Sequence, residues 1–571
     1  MKKLKAKLRW TIVVMAVGFA VCGAGPLVTA LAGERVIQAR QRDAQAVESA
    51  GQASEPARKA VESAGPLIGQ AGQAAEETTA AQAPQHAQQV KRLLIKDAMV
   101  IYGNGEPPFG PANISIEDGL IARVGRVPRD WTPDAVIDAS GKYVMPGIIN
   151  GHIHLQDERA GIPQPIQYEL NLYLAAGATT IRDVGSDWTK AKEWRAQSAS
   201  HKLVASRLVL YERIWASKGA HTAELIRQGV RYAKEQGVDG LKLFGMDRDL
   251  AEALMDEAKK QGLRTAVHIA VDETTARDWA ELGVTSIEHF YGVADAALDG
   301  IQNFPPEHNA NNEIHRFGRA GELYVQPNLN REKLSAVLDL MVRNKVFWCP
   351  TLSIYVASRD LIRAQNQPWF KDYLHPTLEE YFLPDLQHHG SYFLGWTNTQ
   401  EVRWKKNYQV WMDALKEFDL KGGLITVGDD AGFIYQIYGF GQVHELELLE
   451  EAGFHPLEVI KMATVNGAKL LGLEDKLGRV RQGFIADLLV VNGNPVENLR
   501  LLNPYGTDVF TYDGKAINNY SPIMPGDPKV KVERGGGIEW TIKEGIPYHV
   551  PTLMKEVKAM VSEARAMRTK K

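Results

Sequence analysis

Residues 146–154 read Pro146-Gly147-Ile148-Ile149-Asn150-Gly151-His152-Ile153-His154. A Pro-Gly break opens an apolar run that ends in two histidines spaced two apart. On a strand such residues point to one side. His152 and His154 therefore aim two imidazoles at one point, as a metal ion requires. Lys242, His268, His289 and Asp430 likewise fall at or near the end of a short apolar run. Four neutral imidazoles, one carboxylate and one lysine form a ligand set suited to metal-dependent hydrolysis.

Working outward from this stretch, strand-like and helix-like runs alternate. The strand candidates end near His152, Asp183, Tyr211, Phe244, His268, His289, Thr351 and Gly428. Helical patterns lie between them, as from Asp249 to Gln261 before Gly262. This alternation predicts an α/β fold, a (β/α)8 TIM-type barrel over residues 147–473. In that fold the active site gathers at the C-terminal ends of the strands, where the six residues lie. Lys242 sits inside the apolar run Val238-Asp239-Gly240-Leu241-Lys242-Leu243-Phe244. Burial there disfavours its ammonium form and frees the amine.

Short β-type runs precede the barrel, at 93–95, 99–102, 114–116 and 120–124, with Gly103-Asn104-Gly105 and Glu117-Asp118-Gly119 as turns. Two more follow it, at 486–491 and 508–512. Residues 91–146 and 474–550 are expected to form one small composite β-sandwich from both ends of the catalytic region, followed by a charged helical tail at 551–571. An aromatic-rich insertion, 353–421, falls between the seventh and eighth strands. It reads equally as a lid over the active site and as a helical subdomain with its own core.

The N-terminus follows another logic. Lys2, Lys3, Lys5, Lys7 and Arg9 precede an apolar stretch that starts at Trp10. Gly23, Gly25 and Pro26 break that stretch, and Ala30-Leu31-Ala32 offers a cleavage site. Residues 1–32 thus read as a secretory signal peptide, which predicts a periplasmic or secreted protein. Uncleaved, the stretch could span a bilayer, the one route to a membrane association. Residues 33–90 are rich in Ala and Gln, repeat Ala46-Val47-Glu48-Ser49-Ala50-Gly51 at 60–65, and read as a tether. A net charge of −3 gives no footing for a nucleic-acid partner. Of the two cysteines, Cys22 lies in the leader and Cys349 in an apolar run, so no internal disulfide is expected.

Six motifs occur in order between about Leu93 and Pro495: the 146–154 run, Ala178-Thr179-Thr180-Ile181-Arg182-Asp183, Gly240-Leu241-Lys242, Ile287-Glu288-His289, Gly428-Asp429-Asp430-Ala431-Gly432 and Gly483-Phe484-Ile485-Ala486-Asp487-Leu488. In these the chain resembles the metal-dependent amidohydrolase superfamily, in its imidazolonepropionase-like and prolidase-like branch. The resemblance implies two divalent metal ions, with zinc preferred. His152, His154 and Asp430 would hold one, and His268 and His289 the other. Lys242, carboxylated by carbon dioxide, would bridge them. The family usually has Thr or Ser before its last aspartate, where this chain has Asp429. Alignment through Ala431-Gly432 gives the role to Asp430.

The expected reaction is hydrolysis of a carbon–nitrogen bond by metal-activated hydroxide, with Asp430 as the catalytic proton carrier. A small-molecule linear amide or dipeptide is the first expectation for substrate. A cyclic amide, a lactone or a phosphoester is the alternative on the same site. The alternative of another class is a non-catalytic binding protein on this scaffold. Substrate contacts are expected from His221, Tyr291 and Arg359. Self-association into a homo-oligomer is compatible with the sequence.

Overall fold

The computed structural model describes residues 82–214, 222–270, 274–300, 306–309, 312–513, 515–516 and 526–569. Its centre is a sheet of eight parallel strands: Ile148–Ile153, Ala178–Asp183, Arg207–Ile214, Gly240–Phe244, Arg264–His268, Ser286–Glu288, Phe347–Cys349 and Leu424–Ile425. Each pairs with its neighbours in chain order. Two bonds join the ends: Gly151 N donates to Val427 O at 2.7 Å, and Asp430 N to His152 O at 2.9 Å. The fold is a (β/α)8 barrel. Its first two strands are buried at every position, as a parallel sheet covered on both faces demands. The seventh and eighth strands stop short of the expected ends at Thr351 and Gly428. Beyond Ile425 the pairing runs on single bonds, such as Thr426 N to Trp348 O at 3.0 Å.

The helices outside the ring form for local reasons. Ala223–Glu235 buries Ile226, Val230 and Ala233, spaced four and three apart on one face. Thr222 caps it by accepting from Leu225 N. Ala276–Leu282 starts with a Thr275/Asp278 capping box and ends at Gly283 in the left-handed region, φ 82°.

Strands from both ends of the catalytic region share a second sheet. Its order is Ile546–His549, Gly537–Lys543, Leu488–Asn492, Tyr143–Pro146, Arg92–Val100, Phe109–Glu117 and Leu120–Val124, with Ala135–Asp138 beside Arg92–Val100. Leu93, Ile95, Ile114, Val144, Leu488 and Ile542 are among the buried residues of its own core. Tyr143–Pro146 runs through Gly147 directly into the first barrel strand, so this sheet anchors the strand that carries His152.

Two boundaries differ from expectation. The 508–512 run does not complete this sheet: Thr507–Tyr512 pairs with Val530–Gly535 in a separate three-stranded sheet. Its alternate residues Asp508, Phe510 and Tyr512 stay exposed instead of packing into that sheet's core. Nor does the tether reach 90. Val136 N donates to Gln82 O at 3.0 Å, and Ala87 N to Pro547 O at 2.8 Å. Backbone bonding fixes 82–90 to the sheet edge, whereas the rest of the leader and tether, 1–81, lies outside the described residues.

The tail is the helix Val550–Thr569, which packs on Ile166–Ala175 and bonds through Arg565 to Phe370 O and Leu374 O. The insertion is helical and ends in the 23-residue helix Asn398–Leu420. Its rings join the barrel's own core, with Tyr355 stacked on Trp404 at 5.6 Å and the barrel's Phe290 against Trp411 at 4.8 Å. Its His389 also lines the barrel-mouth cavity. The insertion therefore packs onto the barrel, without a separate core, and walls that cavity. Among the described residues no helix is long and apolar enough to cross a membrane.

Candidate metal centre

The six residues converge at one end of the barrel. His152, Lys242 and His268 lie on the first, fourth and fifth strands; His154, His289 and Asp430 follow the first, sixth and eighth. Asp430 Oδ1 is 3.3 Å from His154 Nε2 and 3.7 Å from His152 Nε2, and its Oδ2 is 3.9 Å from His289 Nε2. The His268 and His289 rings are 4.5 Å apart, and those of His152 and His289 4.9 Å. Lys242 lines the same cavity, which measures about 760 Å³.

Backbone geometry brings the last two residues in. His289 and Asp430 both sit in the left-handed region, at φ 65° and 47°. Such conformations cost about 1–3 kcal/mol each in non-glycine residues and persist only where the surroundings over-determine them. Here His289 N is held by Cys349 O at 2.8 Å and Asp430 N by His152 O at 2.9 Å. Gly428 permits the approach. A Cβ at that position would lie 2.6 Å from His152 Cβ and 2.7 Å from Cys349 Sγ.

The outward nitrogens of two imidazoles are set by partners behind them. His152 Nδ1 is 2.6 Å from Glu288 Oε2, and His289 Nδ1 is 2.6 Å from Thr351 Oγ1. A carboxylate only accepts, so His152 carries its proton on Nδ1 and keeps the Nε2 lone pair on the Asp430 side. Glu288 is itself held by Arg182 Nη2 at 2.8 Å. Burial raises the Glu288 carboxyl, but Arg182 and then Lys242 pull it back below its ordinary value. Sequence reasoning passed over this pair as family landmarks. The available signal was two charged residues inside otherwise apolar strands, which are costly to bury unpaired.

Burial drives all four imidazoles far below their ordinary pKa, with Lys242 adding to the effect, so each stays neutral. Burial brings Lys242 down to about 8, and lifts Asp430 to about 7 against the pull of Lys242. His152 Nε2, His154 Nδ1, Lys242 Nζ and Asp430 Oδ1 are buried without a hydrogen-bond partner. Buried polar atoms are almost always satisfied, so four orphans in one cavity point to a missing group. His152, His289 and Asp430 offer ligand atoms within 4.8 Å of one another. Neutral imidazole nitrogens with carboxylate oxygen match the donor set of a zinc-class divalent ion.

The three expected substrate contacts are not brought together. Tyr291 is buried and stacks on His268 at 5.3 Å, supporting the ring from behind. Arg359 does not line this cavity. It pairs with Glu451 at 2.7 Å and lies over the Tyr408 ring, as the last residue of a helix whose other residues are buried. His221 lies outside the described residues. The cavity wall instead includes Arg159, Arg213, Arg316 and His389, which no local pattern in the sequence marked. Asp429 turns away from the cluster and accepts from Asn150 Nδ2 at 2.9 Å and Tyr173 OH at 3.3 Å.

Comparison with known proteins gives a consistent frame. The model of the amidohydrolase family matches residues 143–304 and 418–527. A 5-methylthioadenosine/S-adenosylhomocysteine deaminase of Pyrococcus furiosus is 44% identical over 446 residues, covering 75% of this chain and 92% of that protein. Among solved structures, a Xaa-Pro dipeptidase with methionine bound in its active site superposes with a TM-score of 0.54 at 20% identity, over 80% of this chain and all (100%) of its own. A bottromycin amidohydrolase superposes with a TM-score of 0.56 at 16% identity, over 84% of this chain and 92% of its own. At those identities the two structures speak for the fold.

Proposed function

The chain belongs to the amidohydrolase family, enzymes that hydrolyse carbon–nitrogen bonds with divalent metal, and from that premise we propose that it is a two-zinc hydrolase of linear amides, dipeptides foremost. The observation that carries this reading is Lys242, whose Nζ is buried among four imidazoles and Asp430 without a hydrogen bond. A site for one ion has no use for an amine there, and a buried ammonium is costly. Carboxylation resolves both. With its pKa brought down to about 8, a useful fraction of the amine is neutral. Its lone pair forms an N–C bond to carbon dioxide and one proton leaves to water; the resulting carbamate would add anionic oxygen to the donor set.

His152, His154 and Asp430 would hold one ion, and His268 and His289 the other. Divalent zinc supplies Lewis acidity to a carbonyl oxygen and lowers the pKa of a water from about 15.7 toward about 7. The protein's own residues do the rest. Glu288 and Thr351 fix two rings, and the lone Asp430 carboxylate takes the proton of the attacking water. Asp430 then returns that proton to the departing amine. Deamination of a nucleoside base is the second reading, favoured by the name of the Pyrococcus relative.

The test is a panel of dipeptides and N-acyl amino acids set beside methylthioadenosine, with metal analysis of protein purified without chelator. Two ions per chain and amide turnover are expected, and Lys242→Ala should lose an ion and most of the rate. Deamination with no amide cleavage would overturn the reading, as would a Lys242→Ala protein with normal metal content and rate. We extend the proposal to location: residues 1–32 direct export and are removed after Ala32. Mass spectrometry of the exported protein should find Gly33 at the N-terminus. An intact Met1 in a membrane fraction would overturn it.

A further inference from the structure

The wall of the metal cavity is cationic in a way the ligand set does not use. Arg159, Arg213 and Arg316 line it, and outside the six-residue cluster its acidic residues are Asp247 and Glu313. Glu313 is already engaged: one oxygen meets His389 Nδ1 and the other accepts from Gly390 N at 2.7 Å. Arg159 bonds to neutral acceptors, Tyr438 OH at 3.2 Å and Ala431 O at 3.3 Å.

Arg213 is the sharpest case. It ends the third barrel strand's inner run, and its Nε is buried with no hydrogen-bond partner. The nearby buried carboxylate of Asp183 instead takes the Ser186 hydroxyl at 2.6 Å. Room for Arg213 is built in. Gly185, at φ 106°, leaves open the space where its Cβ would lie 2.3 Å from Arg213 Cγ. Arg213 and Arg159 also line one recess with Leu155 and Gln156, the residues that follow His154, which places them on that side of the cluster. Burial disfavours the Arg213 guanidinium, the charges of Asp183, Glu212 and Asp430 offset that only in part, and its planar fork suits a carboxylate.

Resting on the amide-hydrolase reading above, we propose that Arg213, backed by Arg159, receives a carboxylate of the substrate, so that the substrates are N-acyl amino acids or dipeptides with a free α-carboxylate on the leaving amine. In such molecules the carboxylate is one carbon from the scissile nitrogen. That short, fixed span lets a charge clamp on the His154 side position the bond over the cluster. A neutral nucleoside brings no anion to this clamp.

The experiment uses the full zinc-loaded chain with a panel of L-Ala-Xaa dipeptides and their C-terminal carboxamides. Hydrolysis is followed by kcat/KM, and binding by calorimetry on the Asp430→Asn variant. The acids should be preferred over the carboxamides by about ten- to a hundredfold, the scale of a charge-assisted contact. Arg213→Gln should collapse that ratio, chiefly through KM, and Arg213→Lys should keep part of it, with zinc content unchanged in both. If acids and carboxamides react equally, or if Arg213→Gln lowers both alike, the clamp is overturned while the amide-hydrolase reading stands. If nothing is hydrolysed but the acids bind in preference and Arg213→Gln, added to Asp430→Asn, abolishes that preference, the clamp stands and the hydrolase reading falls. If nothing is hydrolysed and the acids show no preference in binding, both fall.

Discussion

Two groups of buried carboxylates flank the imidazole cluster, and they behave in opposite ways. On one side is Glu288, fully buried, with Arg182 at 2.8 Å and His152 Nδ1 at 2.6 Å. On the other, behind the eighth strand, are Asp429 and Glu445, equally buried. Asp429 accepts from Asn150 and Tyr173, and Glu445 from Ser353 N at 2.7 Å, but each keeps one oxygen without a partner, and among the described residues no guanidinium pairs with either. Burial pushes every one of these acids up. Arg182 reverses the sign at Glu288, whereas Asp429 rises to about 7 and Glu445 to about 8. The lesson is that burial alone sets neither charge nor role. A paired acid is a fixed anion that orients a ring. An unpaired acid holds its proton more tightly, and burial acts the same way on Asp430, which opens to the cavity.

The strongest way to break this comparison is to remove the guanidinium. Arg182→Met leaves Glu288 as an uncompensated buried charge, and should cost about 3–5 kcal/mol of stability. Thermal unfolding of metal-free protein reads it directly. A loss below about 1 kcal/mol would show that Arg182 and Glu288 do not act as a pair.

Next in size is the contrast between the two adjacent aspartates. Asp430→Asn keeps the shape but cannot take a proton, and should lower kcat at least about a hundredfold with the fold intact. Asp429→Asn exchanges an inward-bonded acid for an amide that still accepts from Asn150, and should cost less than about tenfold. The reverse ranking would mean that the strand-eight register is shifted by one and the pair has exchanged roles.

The smallest effect sharpens the unpaired side. In the folded protein the Glu445 carboxyl titrates at about 8, against about 4.3 in an unfolded chain. Between those values the unfolded chain binds fewer protons, so this group's contribution to stability falls as pH rises. Glu445→Gln does not titrate. The difference in Tm, variant minus wild type, should therefore grow from about pH 5 to about pH 8 in metal-free protein. A difference that stays flat would show that Glu445 is not held protonated.

Much of the site was legible because its residues obey local rules. His152 and His154 show period-two alternation, and Lys242 breaks an apolar strand. His268, His289 and Asp430 each follow one strand to its end, where a barrel displays side chains. The misread positions failed for want of local pattern. The 508–512 run alternates like any strand, and only its exposed alternate residues and its pairing with Val530–Gly535 show that it belongs to another sheet. Arg359 sits in an aromatic segment near the mouth, but the turn of its helix sends it to Glu451.

What the chain determined by itself is therefore the barrel and the six residues that cluster at its mouth, since strand period and strand ends are written within a few residues. Tertiary structure alone decided which charges meet. Arg182 and Glu288 are 106 residues apart, and Asn150 and Asp429 are 279. Arg213 has its place because Gly185, 28 residues earlier, leaves room for its Cγ. The fate of a buried charge depends on partners within a few ångströms in space, and sequence distance carries no information about those.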